Sequence, residues 1–128
     1  MKVEAAYGDV VDRVTILLLK ERFVADPQRL SLVRTELDAL REAWRAEQLP
    51  AMELLPSWER LCAVNAALWD VEDALREDER HQDFGAEFVA RARSVYVLND
   101  ERAVLKRHIN DALGSPITEV KWYADGRS

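Results

Sequence analysis

The sequence is poor in cysteine, glycine, proline and histidine, and each shortage removes a class of protein. One cysteine, Cys62, leaves no partner for an internal disulfide, which suits a reducing compartment. Four glycines and four prolines in 128 residues are too few for the closely spaced turns of a β-sandwich. They leave room for long uninterrupted helices. The two histidines, His81 and His108, lie far apart, with no Cys/His spacing of a zinc site and no Glu-x-x-His pattern of a di-iron bundle. The sequence therefore implies no metal and no cofactor. Glycine-rich phosphate loops and nucleophile elbows are missing as well. No apolar run approaches the roughly 20 residues of a membrane span. The opening residues Met1, Lys2, Val3 and Glu4 do not read as a secretion signal. There is no basic stripe, and the net charge is −6, which argues against nucleic acid and anionic membranes as partners. Together these absences point to the cytoplasm.

What is present reads as one helical domain over residues 1–128. A first helix over residues 9–24 carries Val10, Val11, Val14, Ile16, Leu17, Leu18, Leu19 and Phe23 in almost every direction round its axis. A helix that is apolar all round is central, buried by several neighbours. Asp26-Pro27 is a start signal, an N-cap followed by proline in the first turn. A second helix follows over 27–47, with a seam of Leu30, Val33, Leu37, Leu40 and Trp44. Residues 49–56 form a loop between Pro50 and Pro56, and Ser57 is a candidate N-cap for a third helix over 58–80. A fourth helix spans 86–113, where Gly114 and Pro116 stop it. The expected fold is all-α, an antiparallel bundle or helical-hairpin array. Residues 2–7 are candidates to pair with 117–123 as a short β ribbon, and a strand is the competing reading for Val14–Leu19, although the length and charged ends of that segment favour helix.

Polar residues interrupt the apolar faces. On the fourth helix the line Phe88, Ala92, Val95 continues into Asn99, Arg102 and Lys106. A second apolar line, Leu98, Leu105, Ile109 and Ala112, offers a simpler reading in which the buried face rotates. On the third helix Asn65 and Glu72 border the Leu61/Leu68/Leu75 stripe, with Asp73 beside them. On the first, Arg13 and Lys20 sit in an otherwise apolar surface. A buried cation needs a partner, and Asp12, Glu72, Asp73 and Asp100 are the candidates. Two readings follow. In one, an internal ion network fixes helix register. In the other, Arg13, Lys20, Asn65, Glu72, Asp73, Asn99, Arg102 and Lys106 line an inter-helix pocket for a small anionic ligand. Cys62, on an apolar face, reads as an inert core thiol. Trp44, Trp58, Trp69 and Trp122 read as packing residues, and no catalytic residue can be assigned.

Three segments carry a resemblance. They are Gly8-Asp9-x-x-Asp12-Arg13-x-Thr15-Ile16-Leu17; Val64-Asn65-x-x-Leu68-Trp69-x-x-Glu72-Asp73; and Ala92-Arg93-Ser94-Val95-Tyr96-x-x-Asn99-Asp100-x-Arg102-Ala103-x-x-Lys106-Arg107-x-Ile109-Asn110. The chain resembles a family of short uncharacterised bacterial proteins, often encoded near surface-polysaccharide glycosyltransferases. The resemblance implies no activity and no catalytic residues. It implies an accessory role in envelope-polysaccharide biosynthesis. Long apolar seams in a small chain add the expectation of a homodimer or a protein partner. The alternative function is binding or conversion of a phosphorylated sugar, nucleotide or carboxylate.

Overall fold

The computed structural model describes residues 4–115. It contains four long helices and no strand among those residues: α1 (Tyr7–Phe23), α2 (Pro27–Ala46), α3 (Trp58–Arg80) and α4 (Ala86–Leu113), with a short 3-10 turn at Met52–Leu54. The third and fourth helices have the expected bounds. The expected β-pair with residues 117–123 lies outside the described residues.

Helix α1 is the hub and packs against each of the other three. Its buried positions Val11, Val14, Thr15 and Leu17 explain why it is apolar on several sides. Helix α2 folds back along α1, as the pairs Arg13–Glu36 and Tyr7–Glu47 show. Asp26 accepts a hydrogen bond from the Gln28 amide at 3.3 Å, and Pro27 opens the helix as the sequence predicts. The α2 seam buries Leu37 and Trp44, and the Trp44 indole donates to the Pro50 carbonyl at 2.8 Å. Tyr7 meets Trp44 edge-on, with ring centroids 5.8 Å apart. The expected loop over 49–56 thus carries an anchor as well as the 3-10 turn, and Met52 and Leu55 complete this end of the core. Ser57 does occupy the position before α3, but its backbone is already helical and its side chain caps nothing.

Helices α3 and α4 form an antiparallel hairpin, held by a bidentate Arg60–Glu101 pair and by Arg91, whose Nη1 donates to both carboxylate oxygens of Asp78. Gly114 ends α4 in the left-handed region, φ 63°, where a side chain would be strained. On α4 the buried face rotates only in part: Leu105 and Ile109 are buried and Asn99 is exposed, but Ala112 is exposed too, and Arg102 and Lys106 stay half-buried. Burial is confined to one end of the hairpin. From residue 69 to residue 102 no side chain is buried. Leu68 on α3 and Ala103 on α4 mark the limit of full burial, and just beyond it Phe23 at the end of α1 stacks on Trp69, with ring centroids 5.5 Å apart.

Candidate functional site

The polar residues of the described core meet where α1, α3 and α4 converge, and Asp12 is their centre. It is only 4% exposed. Burying a carboxylate there is tolerable only with charge and hydrogen-bond partners, and Asp12 has both. Arg102 on α4 grips it with two bonds, Nε to Oδ1 at 2.8 Å and Nη2 to Oδ2 at 2.5 Å. Asn65 on α3 donates from Nδ2 to the same Oδ1 at 2.9 Å and to the Thr15 hydroxyl oxygen at 2.7 Å. The Thr15 hydroxyl in turn donates to the Asp12 carbonyl at 2.7 Å. One turn earlier on α1, Asp9 accepts from Lys106 at 2.8 Å. The bidentate fork fixes both the distance and the orientation of α4 against α1.

The same stretch of α4 closes the start of α1. The first amides of a helix have no partner within it. Here the Gly8 amide donates to the Asn110 side-chain oxygen at 2.7 Å, and the Tyr7 amide to the Ser115 hydroxyl at 3.2 Å. Gly8 is glycine because α4 runs against it. A β-carbon there would overlap the Lys106 carbonyl oxygen and lie 2.9 Å from its carbonyl carbon. Every buried side-chain nitrogen or oxygen among the described residues has a partner.

The eight residues singled out from the sequence separate into three places. Asn65, Arg102 and Lys106 lie in this layer. Arg13 turns the other way and forms a bidentate pair with Glu36 of α2, at 2.7 and 2.9 Å. Lys20 adds to the positive field at the same glutamate. Glu72 and Asn99 are exposed on the outer hairpin, and Asp73 pairs with Arg76 one turn on. Of the partners expected for the cations, Asp12 takes Arg102, whereas Glu72, Asp73 and Asp100 take none of them. Glu36 and Asp9 do so instead. Sequence reasoning missed Gly8, Asp9 and Thr15 as members of the layer, whereas Asn110, four residues past Lys106, does fall beside the polar line of α4. The available signal was the Asp9-x-x-Asp12-x-x-Thr15 spacing, which sets three polar side chains on neighbouring positions of an apolar helix.

Hydrogen bonding to Arg13, foremost, holds the Glu36 carboxyl below its ordinary value of 4.5, against the opposing effect of burial. A depressed folded value means the pair stabilises above the ordinary range, and its contribution is lost as pH falls through the folded value. Glu36 is 43% exposed, so the screened pair is worth below about 1 kcal/mol. Denaturant titrations between pH 5 and pH 3, about the range in which a depressed carboxylate titrates, are expected to give a shallower fall in stability for Arg13→Met than for the unaltered protein. Burial foremost, with Glu53 and Glu59 adding, pushes the Cys62 thiol up. That agrees with an inert thiol rather than a nucleophile.

Chemically the layer is neutralised. Arg102 and Lys106 each face a carboxylate, and no cluster of three His, Cys, Asp or Glu among the described residues is placed to hold a metal ion. A 210 Å³ cleft lies elsewhere, lined by Arg41, Trp44, Arg45, Ala51, Met52 and Glu53. No described helix is long and apolar enough to cross a membrane.

These features define an all-helical protein in which a central helix is locked to the last one by an internal polar layer. The chain belongs to DUF6165, a family of unknown function whose model matches residues 1–128. No curated protein and no solved structure matches it.

Proposed function

We propose that this protein is a helical interaction module whose contact surface is the outer half of the α3–α4 hairpin. The observation that carries this reading is the unburied stretch from residue 69 to residue 102. It displays Phe84, Val89, Tyr96 and Val97, with Tyr96 75% and Val97 67% exposed. Exposed apolar side chains gathered on one element mark association surfaces. The polar layer then serves as the rigid base that holds the hairpin out. The whole chain acts as one domain in the cytoplasm, and the resemblance supplies envelope-polysaccharide assembly as the setting for its partner.

The competing reading places a small anion among Arg102, Lys106 and their neighbours. It requires the ligand to displace Asp12 and Asp9, which already neutralise those cations. Pairing of this kind supports the structural role. A ligand would raise the melting temperature by mass action, and phosphate, nucleotide and dicarboxylate probes are expected to leave it unchanged.

The direct test is capture by a tagged chain, either of a partner or of an untagged copy. The double substitution Tyr96→Glu and Val97→Glu is expected to abolish capture. Leu32→Glu, at an exposed position on α2, is expected to retain it. Equal capture by both variants would overturn the hairpin as the contact surface.

A further inference from the structure

We propose that the occupant of this surface is a second copy of the chain, docked antiparallel along α4 with its twofold axis between Tyr96 and Val97. This inference rests on the interaction-module reading and names its partner.

The argument comes from the order of residues on the outer face of α4. At 100° per residue, Val89, Arg93, Tyr96, Val97, Asp100 and Val104 share that face, and all six are exposed. Neither Arg93 nor Asp100 forms an ion pair among the described residues. The stripe is complementary to itself when reversed. About a point midway between Tyr96 and Val97, Arg93 and Asp100 are equidistant, about 5 Å along the helix on either side. Val89 and Val104 are also equidistant, about 11 Å out.

An antiparallel copy therefore sets Arg93 opposite the partner copy's Asp100, and Asp100 opposite its Arg93. Each Val89 meets a Val104, and Tyr96 meets Val97 at the centre. A twofold interface must pair one patch with itself in this manner. A parallel arrangement would instead set Arg93 beside Arg93 and Asp100 beside Asp100. The charges thus choose the direction of docking, and the apolar residues supply the contact.

Charge exchange tests the register. Light scattering and sedimentation equilibrium are expected to show a reversible dimer. Arg93→Asp alone sets two like-charged pairs across the axis, as does Asp100→Arg alone. Each is expected to weaken the dimer by about tenfold or more. Mixing the two variants makes both cross-pairs attractive, so the mixture is expected to form heterodimers at concentrations where each variant alone is monomeric. The double variant Arg93→Asp/Asp100→Arg is expected to dimerise like the original. All these positions are exposed, and circular dichroism checks that the helices persist.

A chain that stays monomeric at every concentration would overturn this inference, while the interaction-module reading would still stand or fall on the capture test. A dimer indifferent to both charge reversals would overturn the register. If the Tyr96→Glu/Val97→Glu variant also left that dimer intact, the hairpin would fail as a contact surface, and the proposed function with it.

Discussion

Gly8→Ala is expected to lower the free energy of unfolding by about 3 kcal/mol or more, despite placing a better helix former in a helix. Alanine exceeds glycine in helix propensity by about 1 kcal/mol. The added methyl group, however, has nowhere to go. It would strike the Lys106 carbonyl oxygen and come within 3.0 Å of the Asn110 side-chain oxygen. The contact atoms include helix backbone, which cannot rotate aside as a side chain can. Relief requires α1 and α4 to separate, which loosens the Gly8–Asn110 bond and the Asp9–Lys106 pair together. Overpacking of this kind costs about 1–3 kcal/mol, and more where backbone must move. The expected fall in melting temperature is on the order of 10 °C for a chain of this size. Gly114→Ala is the control. A β-carbon there meets nothing within 4 Å, and only the φ of 63° opposes it. Its cost is expected to be about 1 kcal/mol. Equal melting temperatures for the two variants would show that α1 and α4 do not approach so closely.

Asp12→Ala is expected to destabilise the protein by about 3 kcal/mol, because it breaks a buried pair from one side only. Arg102 would keep its charge beside the core without its carboxylate, and Asn65 would lose one of its two acceptors. Arg102 is 29% exposed, so water reaches part of the guanidinium and the cost falls toward the lower end of that range. Replacing both partners, Asp12→Leu with Arg102→Met, is expected to recover most of the loss, since an apolar pair leaves no uncompensated charge. Urea denaturation of the two single variants and the double variant gives the coupling directly. A cost for Asp12→Ala below about 1 kcal/mol would remove the layer from any structural role.

The sequence carries most of the helical architecture because its signals are local. Asp26-Pro27 and Gly114 punctuate the chain by backbone chemistry that neighbours do not alter. The start of α1 was two residues off for the opposite reason. Its first amides are capped by Asn110 and Ser115, and Ala6 before them makes no side-chain cap. The placement of cations had the same limit. Periodicity marked Arg13, Lys20, Arg102 and Lys106 as needing partners; Arg13, Arg102 and Lys106 form ion pairs, and Lys20 only adds to the field at Glu36. Which carboxylate each takes depends on how three helices cross. Arg13 turns to α2 and Arg102 to α1, and a single helix's pattern does not encode that choice. Glu72 and Asn99 were misplaced because they stand at the edges of their helices' apolar stripes, and at both positions the edge faces solvent.

The capping of α1 from α4 bears on how the chain is made. The bonds from Tyr7 and Gly8 reach partners 108 and 102 positions away. During synthesis α1 emerges long before Asn110 and Ser115 exist, so its opening turn has no partner until nearly the whole described chain is out. The α1–α2 and α3–α4 hairpins involve shorter separations and can form as they appear. Asp9 and Asp12 then wait, charged, for the last helix to deliver Lys106 and Arg102. The contact that closes the first helix is thus among the last that synthesis makes available.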